Sequence, residues 1–180
     1  MHGVVLFGRP CSGKSAIGHE FAGRFGYTYI SSGDIARELA EGSRKMQEDL
    51  AAGKMAPEEE MRAQVRYKIR CCRANGDNFV LDGFPRFMDQ HDFLKRTFPD
   101  MCLIYAHIFA SEQTAMDRSR RRNRGDDGAI LARLKYFEEN TYDILRHCQI
   151  MINNNGQYEI GSKAMELYGE VLRYADDSKI

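Results

Sequence analysis

The sequence lacks a long hydrophobic run and a net charge of either sign. No apolar stretch approaches the roughly 20 residues that a membrane-spanning helix needs, so we expect no membrane partner. The 26 basic and 26 acidic side chains among the 180 residues cancel. This balance provides no overall field that would recruit nucleic acid or an anionic membrane, and it argues against both as partners. Because the first apolar run begins almost at Met1, we also expect no cleaved signal segment.

The cysteines show no pairing pattern either. There are five of them, an odd number, and none belongs to a C-x-x-C pair. This pattern argues against a disulfide framework or a zinc site, and it favours a reducing, cytoplasmic location. The sequence also contains no internal repeat, no low-complexity tract and no linker. Its length therefore suits one domain that buries a substantial core.

Short apolar runs alternate with longer segments of helical periodicity. We expect these runs to form five strands, at residues 3–7, 27–30, 79–81, 102–105 and 150–152. Strands that alternate with helices favour an α/β fold, in which helices cover both faces of a parallel sheet.

Helical periodicity marks the segments between the expected strands. A first helix is expected at residues 16–24. Apolar residues at helical spacing indicate three more: Met61, Val65, Ile69 and Cys72 after Pro57; Ile130, Leu134, Phe137, Thr141 and Ile144 in one long segment; and Met165, Tyr168 and Leu172 near the end. The helical stretch from Ser32 to about Arg73 is long for one crossover, and we expect it to be an inserted subdomain that can move.

Residues 8–15 follow the first expected strand and carry the phosphate-binding-loop spacing G-x-x-x-x-G-K-S. The glycines let backbone N–H groups turn toward phosphate oxygens, and the helix that follows adds its positive end. Lys14 would reach the β- and γ-phosphates, and Ser15 would offer its hydroxyl to Mg²⁺. The alternative is a glycine-rich turn between strand and helix with a solvated lysine.

Two further segments place charged groups at the ends of expected strands. Residues 81–86 read L-D-G-F-P-R, in which Asp82 can hold the hydration shell of Mg²⁺ and Arg86 can clamp a phosphate. Residues 31–37 read S-S-G-D-I-A-R, and Arg37 would lie one turn into a helix and face a second anion. The plain alternatives are a strand-end turn with an exposed arginine and a capped helix start.

Together these motifs resemble the adenylate kinase family of nucleoside monophosphate kinases. The chain contains G-x-P-x-S-G-K, S-S-G-D-x-x-R and L-D-G-F-P-R in the family's order, with Gln90 four residues after the last motif. Residues 52–59 are similar to the family's A-G-K-L-V-x-x-E segment, and residues 124–127 resemble its R-x-D-D. With residues 152–156 near the end, the resemblance covers essentially the whole chain.

The resemblance implies a P-loop NTPase-like, three-layer α/β fold whose five-stranded parallel sheet has the order 2-3-1-4-5. It implies one nucleoside monophosphate kinase domain over residues 1–180, with a core at residues 1–30, 74–117 and 128–180. Residues 31–73 would form the monophosphate-binding helical insertion, and residues 118–127 would form a short lid with no room for a zinc site. A monomeric, cytoplasmic enzyme of nucleotide biosynthesis is the resulting expectation.

The resemblance also implies a role for each residue that matches a family site position. The ATP site would comprise Cys11, Ser12, Gly13, Lys14, Ser15, Ala16, Arg118 and Gly156, with Arg118 packed on the adenine. The AMP site would comprise Ser32, Arg37, Lys54, Met55, Ala56, Gly83, Phe84, Pro85, Arg86, Gln90, Arg124 and Arg133. The catalytic cations would be Lys14, Arg37, Arg86, Arg118, Arg124 and Arg133, acting with Mg²⁺ that Ser15 and Asp82 hold partly through water.

The implied activity is Mg²⁺-dependent, reversible phosphoryl transfer from ATP to AMP, which gives two ADP. Ser32 and Gln90 favour AMP as the acceptor, because similar kinases for UMP and CMP tend to carry Ala and Asn there, and a glutamine amide can both donate to and accept from an adenine edge. A UMP/CMP kinase is an alternative. So is a nucleotide- or nucleic-acid-binding module with little turnover, in which residues 120–122 contact phosphates. A GTPase is disfavoured because the sequence has no N-K-x-D segment.

The chain departs from the family pattern in two places. Residues 13–16 read G-K-S-A, where the family usually has G-K-G-T. Ser15 therefore restores the commoner phosphate-loop hydroxyl, whereas Ala16 loses a hydroxyl that could contact the α-phosphate and influence the choice of donor. The segment between Asp127 and Arg133 is slightly shorter than usual and lacks the family's E-T.

Overall fold

A parallel sheet of five strands lies at the centre of the computed structural model, which describes residues 1–122 and 127–177. The strands are β1 (His2–Phe7), β2 (Thr28–Ser31), β3 (Phe79–Asp82), β4 (Cys102–Phe109) and β5 (Ile150–Asn153). They pair in the order β2-β3-β1-β4-β5, and every pairing is parallel. The expected α/β class, the five strands and their order are confirmed.

Helices connect the strands and cover the sheet. In the described part of the chain they are α1 (Lys14–Phe25), α2 (Ser32–Ala40), α3 (Arg44–Ala51), α4 (Glu58–Asn75), α5 (Met88–Thr97), α6 (Glu112–Arg122), α7 (Asp127–Asn140), α8 (Tyr142–Leu145) and α9 (Ile160–Asp177). Within residues 1–122 and 127–177, no helix combines the length and the apolar character that a membrane crossing requires.

The central strand β1 divides its side chains between two hydrophobic clusters. Val5 and Phe7 pack with buried residues of α4 and α5 on one face of the sheet. Val4 and Leu6 pack with buried residues of α1 and α9 on the other face. Successive side chains of a strand point to opposite faces, so a strand that is covered on both faces is apolar at consecutive positions. This explains the uninterrupted apolar run at the start of the sequence.

Helix α4 buries the apolar stripe that its sequence predicts. Its buried residues are Met61, Val65, Ile69 and Cys72. The helix begins after Pro57 and carries three glutamates in its first turn, where negative charge favours the positive end of the helix dipole. It ends at Gly76, whose φ of 77° is a left-handed conformation that glycine adopts without strain.

The long helix expected from Ile130 to Ile144 is interrupted. Helix α7 ends at Asn140 and the short α8 begins at Tyr142, so Thr141 lies between the two helices. Thr141 is buried, and its hydroxyl donates a hydrogen bond to the backbone carbonyl of Arg86 at 3.2 Å. Apolar periodicity continues across this break, because Leu134 and Ile144 are both buried, and it therefore does not reveal the break. The side chain of Ile130 lies outside the described residues.

The expected apolar face of α9 is only partly correct. Met165 and Leu172 are 49% and 42% exposed, whereas Ala164, Leu167 and Val171 are fully buried against the sheet. The buried stripe begins with Ala164, whose small side chain marks an apolar face in the sequence less clearly than the larger Met165 next to it. Tyr168 borders the buried stripe, and its ring stacks on Phe25 of α1 with ring centres 3.8 Å apart.

We predict that Ile69→Ala lowers the free energy of unfolding by about 2–5 kcal/mol, because it removes a fully buried side chain from the cluster between α4 and the sheet and leaves a cavity. The matched control is Tyr67→Ala on the same helix, where Tyr67 is 64% exposed. We expect this control to change the free energy by no more than about 0.5 kcal/mol. Urea denaturation of both variants measures the difference, and equal losses would contradict this packing of α4.

Candidate active site

The loop between β1 and α1 has a backbone that only glycine fits at two positions. Gly8 and Gly13 have φ values of 146° and 97°. A Cβ atom on Gly8 would lie 2.3 Å from the carbonyl oxygen of Ile108, and one on Gly13 would lie 2.4 Å from the side-chain nitrogen of Asn154. Cys11, between them, also has a positive φ of 61°. The two glycines of the sequence motif are therefore required by close backbone approach.

Lys14 is folded back over this loop. Its ammonium donates hydrogen bonds to the carbonyl oxygens of Gly8 at 2.8 Å and Arg9 at 2.9 Å. The positive charge is thereby held beside the N-terminus of α1, where the helix dipole adds further positive potential. Such an arrangement of backbone N–H groups, helix end and ammonium can bind an anion such as a phosphate.

Asp82, the last residue of β3, is a buried carboxylate that receives two hydroxyl groups. Its Oδ2 accepts from Ser15 Oγ at 2.6 Å and from Tyr29 Oη at 2.7 Å. Burial, followed by the negative charge of Asp82, raises the pKa of Tyr29 well above its usual value, so the phenol keeps its proton. Asp82 Oδ1 is buried and makes no hydrogen bond within the described structure. This free carboxylate oxygen beside the Ser15 hydroxyl fits the oxygen ligands that Mg²⁺ and its water shell prefer.

The residue after Asp82 anchors a second group of polar side chains. The carbonyl oxygen of Gly83 accepts from Ser32 Oγ at 2.8 Å and from Arg86 Nε at 2.9 Å. Burial lowers the pKa of Arg86, and the nearby Asp82 carboxylate raises it. Because an arginine in a protein remains protonated, Arg86 contributes a full positive charge here. A Cβ on Gly83 would lie 2.4 Å from Ser32 Oγ, so glycine is required at this turn.

A pocket opens beside Gly83, and eight of the expected acceptor residues line it. These eight are Ser32, Lys54, Met55, Ala56, Gly83, Phe84, Arg86 and Gln90. The pocket wall also contains Ala36, Leu50, Glu58 and Met61. Three expected residues that the structure describes are not part of this wall: Pro85, which is buried, Arg37, which is largely exposed and forms an ion pair with Asp34, and Arg133 on α7.

Arg118 joins α6 to the phosphate-binding loop and to the turn after β5. Its guanidinium donates to the carbonyl oxygens of Ser12 at 3.0 Å, Asn154 at 2.8 Å and Gly156 at 3.1 Å. Asn154 supports the same contact, since its side-chain nitrogen donates to Ser12 O at 2.7 Å. A guanidinium bonded through its edge can still be covered by an aromatic ring on its planar face, as the expected adenine contact requires.

The remaining two expected cations differ in what the structure describes. Arg133 lies in α7, and its charge lowers the pKa of Arg86, which places the two guanidinium groups in the same region. Arg124 lies outside the described residues. The structure therefore brings Lys14 and Arg118 to the loop side of Asp82 and Arg86 to the pocket side, with Arg133 near enough to Arg86 to affect its pKa.

The motifs gave no role to three residues of this region: Tyr29 and Asn154, which contact site residues, and His107, which lies near the loop. Tyr29 sits two positions before the S-S-G-D motif on a strand, and Asn154 lies in an asparagine run that follows another strand. Polar groups at the ends of adjacent parallel strands are the signal that could have drawn attention to both. His107 on β4 belongs to no motif.

His107 lies close enough to the loop to sense its charge. Burial, followed by the positive charges of Lys14 and Arg9, lowers the pKa of His107 to about 4. Its ring contacts Phe7 and Phe109, with ring centres 6.4 Å and 5.9 Å away. The neutral imidazole is therefore part of the surroundings in which the loop cations act.

We predict that the stability of the protein falls as the pH is lowered from about 6.5 toward 4. The unfolded chain binds a proton on His107 near pH 6.5, whereas the folded chain binds it near pH 4, so the unfolded state holds more protons in this window. His107→Gln should show a shallower loss, measured as unfolding free energy in urea at several pH values. His19→Gln, at an exposed histidine, is the control. If the unfolding free energy of His107→Gln fell with pH as steeply as that of the unaltered protein, this environment for His107 would be contradicted.

Comparisons with known proteins agree with this geometry. A family model described as an AAA domain matches residues 7–134. Adenylate kinase of Corynebacterium urealyticum is 31% identical over 161 residues, which cover 84% of this chain and 88% of that protein. Adenylate kinase of Thermococcus onnurineus is 31% identical over 175 residues, which cover 92% and 76%. Adenylate kinase of Pyrococcus furiosus is 41% identical, but the match covers 48% of this chain and only 40% of the length of that relative.

A solved structure agrees on the fold alone. A gluconokinase from Sinorhizobium meliloti 1021 superimposes with a TM-score of 0.73 over 99% of this chain and 95% of that one, at 16% sequence identity. At such low identity, the superposition supports a common architecture and carries no information about the substrate. The relatives at 31% identity, matched over most of their length, show instead that the chain belongs to the adenylate kinase family of nucleoside monophosphate kinases.

Proposed function

We propose that this chain catalyses Mg²⁺-dependent, reversible transfer of the γ-phosphoryl group of ATP to AMP, which gives two ADP. One observation carries the proposal: two consecutive residues, Asp82 and Gly83, contact opposite halves of the site. Asp82 accepts from Ser15 of the phosphate-binding loop, and Gly83 accepts from Ser32 and Arg86 of the pocket. A donor phosphate at the loop and an acceptor phosphate at the pocket would thus be held side by side, as direct transfer requires.

The donor would bind on the loop side of Asp82. The backbone of residues 11–16 would surround the phosphates, with the Lys14 ammonium moving from the Gly8 and Arg9 carbonyls onto phosphate oxygens. Mg²⁺, when bound, would neutralise charge on the β- and γ-phosphate oxygens. Ser15 and Asp82 would hold it, partly through water, because a carboxylate oxygen and a hydroxyl oxygen lie together there. Arg118 would cover the adenine close to Gly156.

The acceptor would bind on the pocket side. Arg86 would clamp its phosphate, and Gln90 would read its base from the pocket wall. Arg37 would exchange its Asp34 partner for the acceptor phosphate, and Lys54, Met55 and Ala56 would contact the nucleotide through the segment around them.

Catalysis would rest on charge neutralisation and positioning. Two polyanions placed end to end repel each other, and phosphoryl transfer needs little covalent help from the protein. Arg133, Arg124 and Arg118 would join Lys14 and Arg86 around the transferred group. We propose that residues 31–73 and 118–127 close over the nucleotides to bring these cations in and to exclude water.

We propose further that the protein acts as a cytoplasmic monomer on small-molecule nucleotides and does not bind nucleic acid. The even balance of charge supports this, since nonspecific binding to nucleic acid depends on a net basic surface. The exposed side chains of Arg120 and Arg121 at the end of α6 are then solvated. RNA binding that weakens with salt, in a protein without phosphoryl transfer, would favour the binding-module alternative.

Incubation of the purified protein with ATP, Mg²⁺ and one monophosphate at a time tests the proposal. AMP should yield two ADP for each ATP consumed, and chelation of the metal with EDTA should abolish the reaction. Absence of ADP with AMP at high enzyme concentration would overturn the proposal. Faster turnover of CMP or UMP than of AMP would instead favour a pyrimidine nucleotide kinase.

We predict that Lys14→Met lowers kcat by at least about 100-fold, which is the scale of removing one charged partner of the transition state. The fold should persist, because the hydrogen bonds that Lys14 donates to Gly8 and Arg9 lie within one loop. Lys95→Met, at an exposed lysine of α5, makes the same change of charge and is the control. Circular dichroism and steady-state rates provide the measurement, and near-normal turnover by Lys14→Met would exclude Lys14 from the site.

A further inference from the structure

The amide of Gln90 is held in one orientation by partners of opposite kind. Gln90 is only 1% exposed. Its Oε1 accepts from the backbone N–H of Arg86 at 2.7 Å, and its Nε2 donates to Glu58 Oε2 at 2.8 Å. A rotation of the amide by 180° would place Nε2 against an N–H donor and Oε1 against a carboxylate. Both contacts would be repulsive, so the Arg86 N–H and the Glu58 carboxylate together keep the amide from turning over.

Glu58 is itself fixed by the residues around it. Its Oε1 accepts from Arg62 Nε at 2.5 Å, and Arg62 also forms an ion pair with Asp89 on α5. The Arg62 guanidinium lies over the ring of Phe93, 5.4 Å from its centre. Glu58 therefore has little freedom to move away from Gln90, and it is held by Arg62, a residue that does not line the pocket.

Both side chains belong to the wall of the pocket beside Gly83. A glutamine amide has two N–H donors and two acceptor lone pairs, and one of each is already used by Glu58 and Arg86. Gln90 can therefore offer one further donor and one further acceptor. Glu58 adds carboxylate oxygens, which only accept hydrogen bonds. This end of the pocket is consequently richer in acceptors than in donors.

We propose that Glu58 is a specificity-determining residue, which restricts the acceptor pocket to bases that carry an amino group beside an unprotonated ring nitrogen. This inference rests on the proposed function, since it assigns the base of the acceptor nucleotide to this pocket. Glu58 acts in two ways: together with the backbone N–H of Arg86 it holds the amide of Gln90 in one orientation, and its carboxylate repels a carbonyl oxygen on the base.

The chemistry of the bases sorts them into two groups. Adenine and cytosine each present an amino donor beside an unprotonated ring nitrogen, which can accept from the remaining N–H of Gln90. Guanine, hypoxanthine and uracil present a carbonyl oxygen beside a ring N–H, which is the reverse arrangement. The carbonyl oxygen of these bases would meet the Glu58 carboxylate, and a polar site rejects such a mismatch strongly because its buried groups are left unpaired.

Two pairs of nucleotides isolate this difference, because each pair has nearly the same shape. AMP and IMP differ in an amino or carbonyl group on a purine, and CMP and UMP differ in the same way on a pyrimidine. Calorimetric titration of the protein with each monophosphate, without ATP, measures binding separately from transfer. We expect tighter binding of AMP than of IMP and of CMP than of UMP, and equal affinity within both pairs would overturn the proposal.

Glu58→Gln is the decisive variant, because it removes the carboxylate that repels a carbonyl oxygen and supplies an amide that can donate a hydrogen bond to that oxygen. We expect the ratio of AMP affinity to IMP affinity to fall at least about tenfold. Glu58→Asp keeps a carboxylate and should retain part of the preference. Glu60→Gln, at an exposed glutamate in the same first turn of α4, removes the same charge and should leave the ratio unchanged.

The outcomes separate this proposal from the proposed function. If the affinities for AMP and for IMP fall by the same factor in Glu58→Gln, Glu58 is merely structural and the proposal is wrong. If AMP and IMP yield nucleoside diphosphates equally well, the kinase activity stands and the selectivity fails. If AMP binds more tightly than IMP but no ADP forms, the selectivity stands and the kinase proposal fails. Should Glu58→Gln not fold, the AMP–IMP and CMP–UMP comparisons on the unaltered protein and Glu58→Asp still decide the matter.

Discussion

The buried carboxylate of Asp82 is the constraint on which the arrangement of the site depends. A carboxylate removed from water at the end of a central strand must be compensated by hydrogen bonds or cations. Ser15 and Tyr29 compensate one of its oxygens, and in doing so they connect the start of α1 and the strand β2 to β3. The second oxygen remains for a cation or its water shell. The same charge raises the pKa of the neighbouring Arg86 against the effect of burial, and thereby favours its charged form.

Positive groups around this carboxylate are paired with oxygen atoms of the protein. Lys14 and Arg118 donate to backbone carbonyls of the loops, Arg86 donates to Gly83, and Arg37 pairs with a carboxylate. Phosphate oxygens would compete for the same N–H groups. Binding would then exchange one set of hydrogen bonds for another, with little additional cost of removing the cations from water. These protein oxygens thus hold together positive side chains that would otherwise repel one another, in positions where polyanionic ligands can bind.

Much of the fold and part of the site follow from the sequence, for identifiable physical reasons. Buried parallel strands are apolar without interruption, and the phosphate-binding loop needs glycine where Gly8 and Gly13 approach other atoms. Both signals are local in the sequence. Two other features have no such local signal. The break at Thr141 depends on a contact with Arg86, and the buried face of α9 depends on packing against α1. Tyr29 was missed for the same reason, since its partner Asp82 is 53 positions away.

The same limit explains why a motif residue such as Gln90 does not by itself define a substrate. A free glutamine amide can rotate and present either end to a base, so its presence is compatible with amino and carbonyl bases alike. What distinguishes them is the set of neighbours that fixes the amide, and here these are the backbone N–H of Arg86 and the carboxylate of Glu58, 32 positions earlier on another helix. A glutamine at this position of a related chain would present the same groups to a base if a donor faced its oxygen and an acceptor faced its nitrogen. Selectivity for the base is therefore a property of Gln90 together with its neighbours, and it must be sought in the contacts of the motif residue with the rest of the fold.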